Sequence, residues 1–323
     1  MSESVSQAPE APKTPEPLES QPSGAPIVGV PLGLAAGGTA IGRRRSDFLY
    51  YGLRNKKLVF GLSLELLLVL FAIIGPMIAK YPPLALTGAQ LQHPGGTYWL
   101  GTNTLGNDIF SQLANGIRES YLVGALGAVS ASVVGMALGF TAGWRGGILD
   151  EVLQMITNII VMIPALVLLI VISSYLNHPS VTFEGIFIGL TTWPWVARAV
   201  RAQTFSLRSR EFVEIAKLSG KRPLAIIVQD IAPNMASYLF LVVILLFGSS
   251  MLLAASYDFL GLGPTGVVSL GTMMNQAQNE AALLYHEWWW FVPPGVVLTA
   301  MVAALLIANV GLDEVFNPKL REQ

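Results

Sequence analysis

The apolar residues of this 323-residue chain gather into six runs, each near or above the roughly 20 residues that a helix needs to cross the hydrocarbon of a bilayer. With 53% hydrophobic and only 12% charged residues, the chain is too apolar for a water-soluble domain of this length. The runs predict membrane helices over residues 58–79, 121–142, 152–176, 183–202, 235–256 and 291–312. The expected fold is therefore all-α: a polytopic membrane protein of about six transmembrane helices. An even count places both termini on one side of the bilayer.

The basic residues fix which side. Sixteen Lys and Arg fall between Arg43 and Lys57, at Arg145, from Arg198 to Arg222 and at Lys319 and Arg321, against only Lys80 and Arg118 on the opposite loops. Such a bias assigns the basic side to the cytoplasm. Tyr98, Trp99 and Trp288–Trp290 then fall at the outer interface, where amphipathic rings are favoured as anchors.

The chain divides accordingly. Residues 1–42 are rich in Pro, Ser, Glu, Gly and Ala without helical or strand period, and are expected to form a disordered cytoplasmic tail. A basic juxtamembrane segment follows at 43–57, then the first transmembrane helix at 58–79. An extracytoplasmic loop covers 80–118, and a five-helix core covers 119–323. No basic and apolar leader precedes the tail, so a cleaved secretory signal is not expected.

One segment inside that core, at 203–234, differs from the rest. Glu211, Phe212, Glu214, Ile215 and Ala216 lead to Gly220 and then Pro223, which spells a helix of about three turns with a glycine stop. A second short periodicity follows at Leu224, Ile227 and Ile231, closed by Pro233 and Asn234. Both read as small helices outside the bilayer, presented to a cytoplasmic partner.

Other chemistry is sparse. The absence of cysteine excludes disulfides and thiolate metal sites. His93, His178 and His286 share no helical spacing, so no metal site is expected. Nucleophile and base do not occur together, so no catalytic residues are assigned. Gly220-Lys221 lacks the upstream glycine of a phosphate-cradling loop, so the chain is not expected to bind ATP, and it carries no cofactor of its own. Pro164 and Pro194 each remove a hydrogen bond within a span and predict kinks, making them gate candidates. Asp258, at the outer end of the fifth span, is a pore candidate. Glu65 lies inside the first span and needs a partner or a proton.

The segment with Glu214-Ile215-Ala216, Gly220 and Ile231-Ala232-Pro233-Asn234 resembles the EAA loop of permease subunits in ATP-binding-cassette importers, with Ile215 in place of the first alanine. Leu100-Gly101-Thr102-Asn103 through Gly106-Asn107-Asp108 is similar to the LGTD-x-x-GRD segment of the dipeptide, oligopeptide and nickel permeases, Asn103 and Asn107 replacing Asp and Arg. Phe259-Leu260-Gly261-Leu262-Gly263 matches that family's FLGLG run, and Asn317-Pro318-Lys319-Leu320-Arg321 its closing DPRLR. The similarity runs in order from about residue 55 to 321 and points to the family's "C" type. Ala254-Ala255-Ser256 stands where the family usually has Glu-Ala-Ser, and the 269–295 tract has a likeness to members that carry oligosaccharides.

The resemblance implies a non-enzymatic permease subunit in the cell membrane, forming half of a pore for peptides or short oligosaccharides. Its implied partners are a homologous second permease, two cytoplasmic ATPases holding ATP and Mg²⁺, and an extracytoplasmic solute-binding protein. Nucleic acid is not among them. In that reading Phe212, Ile215 and Ala216 insert into a groove on an ATPase, with Gly220 allowing the sharp exit. The alternative from another class is an ion-gradient-driven secondary transporter, which requires paired intramembrane ionisable residues.

Overall fold

The computed structural model describes residues 50–175 and 180–316. The expected tail at 1–42, the start of the basic segment, His178 and the closing motif at 317–321 lie outside them. Among the described residues the regular structure is helical. After a helical turn at 50–54, the order is α1 (Lys56–Ile78), α2 (Ile109–Arg145), α3 (Gly147–Met162), α4 (Ala165–Ser173), α5 (Val181–Leu207), α6 (Glu211–Leu218) and α7 (Pro223–Ile226). A π-helical turn (Ile227–Ile231) then leads through α8 (Ala232–Asn234) to α9 (Ala236–Phe259), α10 (Leu270–Asn279) and α11 (Trp288–Phe316).

Among the described residues, α1, α2, α9 and α11 are long and apolar enough to cross a membrane, and α3 with α4 make a fifth span if the bent pair counts as one. The remaining run sits in α5, which is 27 residues long but carries Glu184, Arg198 and Arg201 along its length. The chain is thus an all-α, multi-pass membrane protein.

Close approach of small residues organises the bundle. Along α2, Gly127, Gly135, Gly139 and Gly143 face α5: a Cβ at Gly139 would lie 2.8 Å from the Ala197 carbonyl, and one at Gly143 would lie 2.8 Å from that of Arg201. Small residues at helical spacing let backbones meet where lipid supplies no hydrophobic drive. The start of α1 packs on the end of α11 in the same manner, through Gly61 against Ala304 and Ala308. There Asn55 caps α1 by accepting from the Leu58 N–H and also donates to Glu314, which pairs with Lys57.

The bundle has a basic end, where α1 begins and α2, α5 and α11 finish beside α6. At its other, tryptophan-rich end, residues 80–108 wrap over the start of α2. The 37-residue α2 is about 55 Å long and starts twelve residues before the expected 121. Its first turns are buried under that wrap. The wrap is held by amides: Asn103 Nδ2 donates to Asn107 Oδ1 at 2.9 Å, and Asn103 Oδ1 accepts from the Asn107 N–H at 2.7 Å. A neutral pair thus stands where the resembling motif has Asp and Arg. Asp108 then caps α2 through the Ser111 N–H.

The three tryptophans separate in role. Trp288 is 56% exposed, but Trp289 and Trp290 are 4% and 1% exposed and belong to the main core. The expectation that all three anchor at the interface is corrected accordingly. Trp289 lies 4.4 Å from the His93 ring, tilted by 54°, and leaves no room for a side chain at Gly101, whose φ of +76° suits glycine in any case. Nearby, burial pushes the Glu287 carboxyl up, with Glu280 adding to the effect and His93 opposing it.

Candidate functional site

The eight-residue helix α6 is too short to persist alone, and four devices hold it. Glu211 and Glu214 lie in its first turn and Lys217 in its last, which complements the helix dipole at both ends. Val213 and Ala216, 0% and 5% exposed, pack into a core cluster with Val196, Val200, Ile226 and Ile231. At the C-terminus the Gly220 N–H donates to Lys217 O and the Lys221 N–H to Ala216 O. These are the two bonds of a Schellman cap, and Gly220 takes the required positive φ of +74°. Finally, the Lys217 ammonium lies 5.2 Å from the Trp144 ring centroid.

The outward face carries Phe212, Ile215 and Leu218, exposed by 36%, 63% and 89%, with Leu224 and Val228 continuing it at 72% and 59%. The sequence reading had Ala216 inserted into a partner. In the structure Ala216 is turned inward and Leu218 shares the outer face. Two overlapping apolar stripes run along the segment, and periodicity alone does not say which one the protein keeps. The second helix shows a related shift. Ile226, Ile231 and Met235 are its buried residues, rather than Leu224, Ile227 and Ile231, because the π turn spaces Ile226 and Ile231 five apart on one face. Pro233 is exposed in α8, between that turn and α9.

The basic end is tied to the bundle on both sides of α6. Arg208 Nη1 donates to the Gly143 and Trp144 carbonyls at 3.2 Å, where α2 ends. Arg201 forms two bonds of 2.5 Å to Asp150, which is 8% exposed at the start of α3. This bidentate pair escaped the sequence reading, because its members are 51 residues apart. Removing one partner strands the other charge, so Arg201→Ala is expected to lower stability by about 3 kcal/mol, and Asp150→Asn in the same chain should restore most of it. Thermal unfolding of the two single variants and the double variant in detergent measures the coupling.

The gate candidates divide. Pro164 caps α4 after a break at which α3 and α4 bend by 77°. Pro194 lies within an unbroken α5. Both line one apolar cavity of about 420 Å³ together with Trp195, Leu245 and Leu246. Asp258 lines neither this cavity nor the second one, between α1 and α2. It is 2% exposed, accepts a hydrogen bond from Ser269 Oγ at the start of α10, and is hemmed in by Gly263 and Gly271. Glu184 of α5, 1% exposed with neither oxygen hydrogen-bonded, interacts electrostatically with Asp258. It sat at the edge of an expected span and was missed. Glu65 faces Tyr121 across α1 and α2.

A bent, glycine-packed helical bundle that anchors a short amphipathic helix at its basic end, apolar face outward, has the build of a membrane transport subunit. Two family patterns match the chain: "Binding-protein-dependent transport system inner membrane component" over residues 135–322, and "N-terminal TM domain of oligopeptide transport permease C" over residues 46–94. The chain is 32% identical over 239 residues to the oligopeptide transport system permease protein OppC of Mycobacterium tuberculosis, covering 73% of this chain and 82% of that one. It is 29% identical over 286 residues to the dipeptide transport system permease protein DppC of Haemophilus influenzae (85% and 95%). Against OppC of Bacillus subtilis the identity is 31% over 273 residues (83% and 87%). The chain belongs to the family of binding-protein-dependent transport system inner membrane components.

Proposed function

We propose that this chain is one of two permease subunits of an ATP-binding-cassette importer in the cell membrane, contributing half of a pore for peptides. The relatives' names favour peptides over the oligosaccharides that the 269–295 tract suggested. The basic end, with both termini, faces the cytoplasm. There the outer face of α6 docks on one of two ATPases, which hold ATP and Mg²⁺ and do the hydrolysis. An extracytoplasmic binding protein delivers solute to the tryptophan-rich end.

The observation that carries this reading is the opposition of faces on α6: Val213 and Ala216 buried in the subunit's own core, and Phe212, Ile215 and Leu218 exposed with nothing on them. A short helix clamped on one side and apolar on the other fits insertion into a groove. Nucleotide-driven closure of the ATPases would move it and pull on α5 and α9, the helices on either side. For that motion to empty the pore, ATP must favour one of two conformations. Purification of the subunit with its partners tests this: an ATPase should co-purify, and its hydrolysis should rise with peptide and binding protein. Proton-coupled uptake by the isolated chain would instead support the secondary transporter, which the buried Glu184–Asp258 pair favours. Deletion of residues 1–40 is expected to leave peptide uptake in whole cells near wild type, and a large loss would assign the tail a docking or regulatory role.

A further inference from the structure

We propose that the cleft between α1 and α2 is a wet subsite on the translocation path, in which Arg118 receives a carboxylate of the transported solute. The proposal rests on the transport reading above and deepens it. The cleft encloses about 610 Å³ and is lined by Val69, Ile73 and Met77 of α1, Arg118 and Tyr121 of α2, and Phe247 of α9. That volume is within the range of small-molecule sites.

Arg118 is exposed and makes no ion pair with any described residue. The other cation at this end, Lys80, is already engaged: it donates to the Gly96 and Thr97 carbonyls and lies 5.2 Å from the Trp99 ring centroid. Among the described residues, Arg118 is therefore the cation left free at the outer end.

Its depth gives the argument force. A Cβ on Gly75 would lie 3.0 Å from the Ala114 Cβ, so Ala114 is level with Gly75, close to the end of α1. Arg118 is one turn further along α2, about 6 Å deeper, inside the span of α1. Side chains lean toward the N-terminus of their helix, so its guanidinium reaches back along the cleft toward Met77 at the mouth. Charges within spans face water-filled cavities or partners, or reach toward the interface when they lie near a helix end. Water in the cleft meets that requirement.

The chemistry then selects an anion. The planar fork of Arg matches a carboxylate with two parallel hydrogen bonds, and the apolar walls suit the side chains that accompany it in a peptide. Tyr121 adds a hydroxyl to the cleft wall, where it sits beside the Glu65 carboxyl of α1.

The chain contains no cysteine, so Ile73→Cys introduces a single reporter in this subunit, followed on its own band after the assembled transporter is labelled. Its labelling from water by anionic sulfonatoethyl methanethiosulfonate should be about tenfold faster, relative to the cationic trimethylammonium reagent, than that of the same reporter in Arg118→Gln. Arg118→Lys should keep the preference. A free-acid tripeptide, with enough binding protein to be saturated, should slow the anionic labelling, and the same tripeptide amidated at its C-terminus should not. An unreactive Ile73→Cys would mean that lipid or the second permease covers this face, and would overturn the proposal. So would an unchanged reagent preference in Arg118→Gln, or equal protection by acid and amide. Should wild type import no peptide while the reagent preference holds, the anion subsite stands and the peptide assignment falls.

Discussion

Gly220→Pro is expected to abolish solute-stimulated ATP hydrolysis and uptake while the subunit still inserts and assembles with its second permease. Gly220 holds a φ of +74°, and proline is confined near −65°. Proline also lacks the N–H that Gly220 donates to Lys217, so the Schellman cap cannot form. A helix of eight residues has little stability beyond its caps and its packing. The damage stays local, because a Cβ at Gly220 meets nothing within 4 Å and the bundle beneath is held by other contacts. Gly220→Ala is the graded control: the left-handed conformation costs it about 1 to 2 kcal/mol, so coupling should fall without vanishing. Ile215→Asp tests the docking face itself. At 63% exposure the substitution leaves the isolated subunit as stable as wild type, yet in an apolar groove it strands a carboxylate. Coupled hydrolysis at wild-type rate in both Gly220→Pro and Ile215→Asp would remove α6 from the mechanism.

The glycine stop of α6 was legible because local chemistry sets it: no other residue adopts that φ so readily. The apolar runs were legible for a similar reason, since crossing length follows from bilayer thickness. What escaped the sequence depends on partners distant in the chain. The start of α2 is at Ile109 and not near 121, because the wrap of residues 80–108 packs on its first turn, while the exposed Arg118 and half-buried Glu119 break the apolar run. Trp289 and Trp290 read as interface anchors by type, and only the packing of His93 and Gly101 against Trp289 and the burial of Trp290 in the main cluster show that they are core. Ala216 turns inward and Leu218 joins the outer face because either stripe of α6 could have been buried. Glu184 acquires its significance only when α9 brings Asp258 beside it.

The largest effect on the fold is expected from Gly139→Leu, which should leave no assembled subunit in the membrane. A Cβ at this position would lie 2.8 Å from both the Ala197 carbonyl and the Val200 Cβ, and a backbone oxygen cannot rotate out of the way as a side-chain tip can. The neighbouring contacts allow no relief. Gly135 is closed off by the Trp193 carbonyl at 2.9 Å, Gly143 by the Arg201 carbonyl at 2.8 Å, and from the other helix Gly189 by the Gly127 carbonyl at 2.7 Å. Separating α2 from α5 to admit a leucine therefore breaks the stripe along its whole length. It also moves Arg201 away from Asp150 and Arg208 away from the end of α2, so the platform under α6 is lost as well. Gly248→Ala in α9 is the matched control, because its nearest contacts would be ordinary ones at 3.7 and 3.8 Å, and alanine is the better helix former by about 1 kcal/mol. Membrane fractionation followed by size-exclusion chromatography of the two variants separates the outcomes. Normal assembly of Gly139→Leu would show that α2 and α5 do not rely on this close approach, and that the anchoring of α6 must be sought elsewhere.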